Sequence, residues 1–313
     1  MLGFLGRRIV SGVVLVFAIT TLAFLLLYLG SGDIARRILG QTATQEQVTA
    51  KAHELGLDRP IWEQYTGWLG NALSGNLGRS WFSGQLVIDG VTNRLTVTLS
   101  LVIGATIITA LIAVVLGVWA ALAGGWVDRT IQFLTVLGMA VPGFLIAVAL
   151  VVVFAINLGW FNATGYTSIA DDAFAWARSV TLPIVALSIG GASAVTQQIR
   201  GSVVDALQRD YVRTLRSRGL STRSVVFKHV LRNAVGPALA VLNVQFVGML
   251  GGAVIVEQVF QMPGLGQLAV GATTQGDVPI VMGLVVTTAI IVIVVNLVID
   301  IAQGLLNPKV RLA

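Results

Sequence analysis

The chain has 313 residues, 56% of them hydrophobic and 11% charged, with a mean hydropathy of +0.87, a balance that excludes a water-soluble globule and places it in lipid. It has no cysteine and two histidines, His53 and His229, which excludes disulfide frameworks and thiolate metal sites and leaves no ligand set for a protein-built zinc centre. The net charge of +6 is uneven, because eight of the 20 Lys and Arg fall in residues 200–232; retention of short basic loops on the cytoplasmic side accounts for this without nucleic acid.

Runs long enough to cross about 30 Å of hydrocarbon at about 1.5 Å per residue occur at 9–30, 97–122, 131–158, 182–199, 238–256 and 280–305. The first follows Arg7 and Arg8 and resembles a signal sequence, yet no small-residue cleavage site follows its long apolar run, so it is expected to be an uncleaved anchor. Between it and the second run, residues 31–93 are long enough for structure of their own. Pro60 can occupy a first helical turn there, and Ile61, Tyr65, Trp68 and Leu69 recur at i, i+4, i+7 and i+8 on one face. Such a stripe rests at the lipid surface or against the span bundle; an interfacial anchor is its plainer meaning, a ligand-binding face the alternative. Gly190, Gly191 and Ser193 dilute the fourth run, and Gln197 and Gln198 end it.

Six spans with Arg7 and Arg8 inside give a consistent orientation. Inside lie the N-terminus, 124–129, the basic 200–232 island, and the tail with Lys309 and Arg311. Outside, the 160–178 loop sets Asp171 and Asp172 against Arg178, and the 261–279 loop carries Asp277 and no basic residue. Trp126, Trp160 and Trp176 fall near the expected boundaries, where amphipathic rings sit.

The chemistry is mostly exclusion. There is no G-x-x-x-x-G-K-[ST] phosphate loop, no G-x-S-x-G elbow, no H-E-x-x-H and no paired carboxylates within a span, so no catalytic residue is assigned and the chain does not hydrolyse ATP unaided. Acids in the spans are confined to their ends, Glu257 on the fifth and Asp300 on the last, which argues against a proton- or sodium-driven carrier. A membrane enzyme would need a nucleophile beside a base, and His229 and His53 lie on the island and in the outside segment. Asn296, Asp300 and Gln303 share a face of the last span, and Asn243 and Gln245 interrupt the fifth; they make interhelical hydrogen bonds or, for Asn243, Gln245 and Asn296, line a solvated pathway. Gly248 and Gly252 form a small-xxx-small packing step.

Within the island, Arg209, Arg213 and Arg216 share one helical face, and Tyr211 and Leu215 form an adjacent apolar ridge. Gly219 can take the left-handed conformation that ends this helix. Ser221 or Thr222 can cap the next, which runs toward Asn233 and is expected to stop before Pro237. The product is a short helix projecting from the membrane with an apolar ridge beside a basic face.

The run DYVRTLRSRGL at 210–220, followed by HVLRNA at 229–234, resembles the EAA loop of permease subunits of ABC importers, in the version of the dipeptide, oligopeptide and nickel branch. Further matches are EQVFQMPGLG at 257–266 with GDVP at 276–279 and Gly283, LGLDRP at 55–60, LGRS at 77–80, and Asp128-Arg129 ahead of Val141-Pro142, so the resemblance covers nearly the whole chain in order. It implies an all-α membrane protein with the type I importer permease fold: six transmembrane helices, an N-terminal tail and first helix at 1–30, a structured outside segment at 31–93, and a permease core at 94–313 that includes the 200–235 coupling loop.

The resemblance also implies partners. Arg209, Asp210, Tyr211, Arg213, Thr214, Leu215, Arg216, Arg218, Gly219 and Leu220 would dock in a groove of one or two separate ATPase subunits, which bind the ATP and magnesium; this chain binds no cofactor or metal of its own. A second homologous permease would complete the translocation path in the prokaryotic cell membrane, with both termini cytoplasmic. An extracytoplasmic binding protein would meet the outer face near Glu257, Phe260, Pro263, Gly264, Gly266 and Asp277. The family often has Ala where Leu215 stands, which alters the fit in the ATPase groove, and Pro where Thr96 stands, which relaxes the start of the second span. Di- or oligopeptides are the expected cargo, with nickel or another small solute as the variant.

Overall fold

The computed structural model describes residues 2–29 and 34–306; Gly30 and Ser31, at the boundary between the first run and the outside segment, and Lys309 and Arg311 in the tail lie outside the described residues. In chain order the helices are α1 (Leu2–Leu29), α2 (Ile34–Leu39), α3 (Gln45–Glu54), α4 (Ile61–Leu73), α5 (Val87–Ala123), α6 (Gly125–Ala140), α7 (Gly143–Leu150) with a π-helical continuation (Val151–Asn157), α8 (Ala173–Leu207), α9 (Asp210–Ser217), α10 (Thr222–Ser224) running through a π-helical segment (Val225–Val230) into α11 (Leu231–Val259), α12 (Leu265–Gln275) and α13 (Val278–Leu306). Among the described residues the only extended pairing is an isolated bridge between Arg79 and Leu86.

Among the described residues five helices are long and apolar enough to cross a membrane: Gly6–Leu27, Val87–Ala123, Ala173–Leu207, Thr222–Val259 and Val278–Gly304. The continuous third span expected over 131–158 is instead broken. Gly125–Ala140 and Gly143–Asn157 meet at a bend of 97° and make a sixth span only if taken together. The break falls at Val141-Pro142, where Val141 is extended (φ −81, ψ 123) and Pro142 stands at the N-terminus of α7. Proline steers the preceding residue away from the helical region and donates no hydrogen bond, so one helix ends as the next begins.

Pro237 has no such effect, which corrects the expected stop before it: the helix runs through, from Thr222 to Val259. The carbonyl that Pro237 leaves without its helical donor belongs to Asn233, an exposed residue, so water can satisfy it.

The chain divides into two compact units, one from the described residues of 1–96 with 264–293, the other from 97–263 with those of 294–313. In the first, the α4 stripe covers the first span. Tyr65 sits 5.2 Å from Phe24 and 6.4 Å from Phe17 by ring centroids, and its hydroxyl lies 2.6 Å from Thr21 Oγ1. The stripe therefore packs on the bundle. The core of this unit gathers Val87, Val91, Leu265, Ala272, Ile280 and Leu284. A capping box starts α3, with Gln47 N–H donating to Thr44 Oγ1 and the Gln47 side chain accepting from Thr44 N–H at 2.9 Å.

The second unit is built on α8, which Asp172 caps by accepting from Phe174 and Ala175 N–H at 2.8 and 3.0 Å. Of the small residues that dilute the fourth run, Gly191 sits where neighbours press close: a Cβ on it would stand 2.5 Å from Met249 Cε and 3.3 Å from Thr109 Oγ1. One core of this unit centres on Leu101, Val180, Ala186, Val256 and Phe260, and a second on Val203, Val212, Val225, Val226 and Val230.

Candidate functional site

The second of those cores carries the candidate site. Helix α9 begins after an extended Arg209, with Asp210 in its first turn and Arg216 in its last, charges that complement the helix dipole. It closes through Arg218 N–H to Thr214 O at 3.2 Å, Gly219 N–H to Arg216 O at 3.0 Å and Leu220 N–H to Leu215 O at 3.3 Å. That closure needs a left-handed residue, and Gly219 supplies it at φ +80. Ser221, extended, caps α10 by accepting from Ser224 N–H at 3.4 Å.

Val212 is 0% exposed and pins α9 against Val203, Ala206, Val225, Val226 and Val230. The π-helical turn makes this possible: its bonds run to the fifth residue back, as from Leu231 N–H to Val226 O, and the extra residue per turn brings Val225, Val226 and Val230 all inward. Tyr211, Leu215 and Leu220 lie half-buried on the same cluster. The Tyr211 hydroxyl accepts from Asn233 Nδ2 at 3.2 Å, fastening α9 to α11.

The ten residues expected at the docking surface thus divide. Arg209, Asp210, Arg213, Thr214, Arg216, Arg218 and Gly219 are exposed, whereas Tyr211, Leu215 and Leu220 mainly hold the helix in place. The exposed set gains Arg223, Lys228 and Phe227, the last 62% exposed among bases. Phe227 was not singled out in the sequence because its orientation depends on the π-helical register, which periodicity does not reveal. The surface is basic with an apolar point.

A bidentate ion pair joins α6 to α8, with Arg200 Nε and Nη2 each donating to an Asp128 oxygen at 2.6 Å. The sequence marked both residues but gave no sign that they meet.

The second signature is enclosed. Glu257, 0% exposed, accepts from Thr98 Oγ1 at 2.5 Å, and Phe260, equally buried, has its carbonyl bonded by Gly165 N–H at 2.9 Å. In the first unit Gly264 and Gly266 are buried, and Asp277, 3% exposed, accepts from Ser80 Oγ and, at 3.2 Å, from Trp81 N–H. Of the six residues expected to face a binding protein, only Pro263 is exposed. The other five set loop shape from inside, because an acid with donors at hand is held most strongly where water is excluded. Asn243, Gln245 and Asn296 are half-buried, and the side-chain oxygens of Asn243 and Asn296 are enclosed without a hydrogen-bond partner among the described residues.

Residues 113–312 match the family model described as "Binding-protein-dependent transport system inner membrane component", and residues 1–102 match its N-terminal companion. The chain is 37% identical to the "Probable peptide ABC transporter permease protein" of Sinorhizobium fredii, over 97% of this chain and 98% of that protein. It is 33% identical to the glutathione transport system permease protein of Escherichia coli over 99% of both. Among solved structures, an inward-facing MetNI methionine ABC transporter chain superposes with a TM-score of 0.51 at 16% identity, covering 71% of this chain and 96% of that one, a likeness of fold.

Proposed function

Because this chain belongs to the binding-protein-dependent transport system inner membrane components, we propose that it is the permease of an ATP-driven importer whose cargo is a di- or oligopeptide. Relatives named for peptide and glutathione transport, the latter a tripeptide, support peptides over nickel. The observation that carries the coupling role is the two-faced α9: Val212 locked into the core on one side, Arg209, Arg213, Arg216 and Arg218 presented on the other.

A partner gripping that basic face would move α8 and α11 with it, because Val203, Ala206, Val225 and Val230 share the Val212 cluster. The partner is one or two ATPase subunits, which bind and hydrolyse ATP with magnesium; this chain supplies no catalytic group. A second homologous permease completes the path, to which Asn243, Gln245 and Asn296 contribute polar positions. An extracytoplasmic binding protein approaches Pro263 and the exposed residues near it. The inner membrane of a prokaryote holds the chain with both termini and α9 on the cytoplasmic side.

Affinity purification of the tagged chain in mild detergent, with mass spectrometry of what stays bound, tests the assembly. A second permease and ATPase subunits are expected; the chain alone, transporting without ATP, would replace the proposal with a secondary carrier. The lack of cysteine makes orientation testable in the same preparation. Thr214→Cys should react with an impermeant maleimide only from the cytoplasm and Gln275→Cys only from outside.

A further inference from the structure

The 34–93 segment, with residues from the ends of α1 and α13 in the same unit, lines a half-open cavity of about 350 Å³. Its wall carries two guanidiniums, Arg59 and Arg79, and one carboxylate, Glu63, beside an apolar side that includes Trp68, Leu77 and Met282. These charges are not spent within the protein. Arg59 and Glu63 have no ion-pair partner among the described residues, and Arg79 donates only to the Gly84 carbonyl, at 3.2 Å. The Trp68 Nε1–H is shut off from solvent and makes no hydrogen bond among the described residues.

The wall is also held in shape. Gln64 Nε2 donates to the Arg59 carbonyl at 2.8 Å and to that of Leu57 at 3.4 Å, fixing the loop that carries Arg59 to the first turns of α4. Trp68 packs against Phe24 and Tyr65, at centroid separations of 6.3 and 6.1 Å.

A wall that carries two cations and one anion suits a molecule that carries an anion and an ammonium together. The volume lies near the lower end of ligand cavities, which run from about 300 Å³ upward, and admits a dipeptide with one apolar side chain. We propose that this cavity binds a short peptide as a zwitterion, its carboxylate on Arg59 and Arg79, its ammonium on Glu63 and an apolar side chain against Leu77 and Met282. The site shares no residue with the coupling surface and rests on the transport proposal only for the supply of its ligand. A phosphatidylethanolamine headgroup offers the same pairing of charges, so the experiment separates the two sources.

The full chain in nanodiscs free of phosphatidylethanolamine is titrated with the dipeptide Leu-Leu by calorimetry. Saturable binding is expected, weakened about tenfold or more in Arg59→Gln and in Glu63→Gln, as loss of one charge-assisted hydrogen bond requires. N-acetyl-Leu-Leu-amide, which has neither charge, should not bind. Both substituted side chains are exposed, so the variants should melt with the wild type, which separates loss of site from loss of fold. No saturable binding of Leu-Leu, or wild-type affinity in both variants, overturns the proposal. So does binding of a short-chain phosphatidylethanolamine with Leu-Leu inert, which assigns the cavity to lipid. A chain that imports peptides but fails this titration leaves the transport proposal standing, and one that binds without importing does the reverse.

Discussion

The two signature stretches of this chain, 209–220 and 257–277, treat charge in opposite ways. The first displays it: Asp210 and Arg213 are 99% and 81% exposed, and their contact at 3.9 Å is a loose surface pair. The second encloses it, with Glu257 and Asp277 almost wholly buried and each accepting a hydroxyl hydrogen bond. A cluster of like charges cannot be desolvated together and so marks a surface, whereas a single acid in an apolar stretch can be buried if donors meet it. Charge density separates a handle from a brace.

The sharpest way to break that comparison is to remove the deeper brace. Glu257→Ala leaves a void and takes the acceptor from the 2.5 Å bond of Thr98, which should destabilise the chain by on the order of 3 kcal/mol. Thr98→Val should cost less, and a double variant less than the sum. Thermal unfolding in detergent measures all three, and an Ala variant that melts with the wild type would mean that Glu257 braces nothing.

Asp277 comes next. Asp277→Ala removes the acceptor of Ser80 Oγ and Trp81 N–H, at about 2 kcal/mol, and should free the 80–86 loop. Asp277→Asn keeps one carbonyl oxygen and should lie between. Proteolysis confined to that loop is the readout. A cleavage rate equal to wild type in both variants would assign the loop's shape to something other than Asp277.

How much of this was legible in the sequence follows from the range of the forces. Apolar length located the spans, and Gly219 with Ser221 located the end of α9 and the start of α10, because those signals are local. Proline was misleading because its effect depends on what surrounds it. Pro142 breaks its span, while Pro237 and, in α8, Pro183 leave their helices intact. Contacts between distant residues were invisible: Ser80 with Asp277, Thr98 with Glu257 and Asp128 with Arg200 each join chemistry that the chain separates by many tens of residues. The outer-face residues were therefore read as contacts for a partner when most of them are internal. The π-helical turn after α10, which turns Phe227 outward, has no composition of its own.

The Asp128–Arg200 pair lies between the two extremes, partly open to solvent and bidentate. Asp128→Asn should cost about 1 kcal/mol, since an exposed pair contributes little and geometry this good somewhat more. Exchanging the two residues should recover part of that loss if the pair itself matters. Equal melting of the single and exchanged variants would make it a bystander.

The smallest effect on stability and the largest on function should come from the handle. Arg213 and Arg216 touch no core residue that their removal would unpack, so Arg213→Gln with Arg216→Gln should leave melting and membrane insertion where they are. On the proposed docking the pair offers guanidiniums to a partner, and each lost charge-assisted hydrogen bond should weaken that docking about tenfold. Substrate-stimulated ATPase activity of the assembled complex should then fall while the chain itself remains intact. Val212→Ala is the counterpart, since it cuts the same helix loose from within and should lower melting and coupling together. If the double Arg variant loses stability in step with activity, α9 has no separate outer face and the division between handle and brace fails; if it loses neither, the basic surface is retained for membrane topology alone.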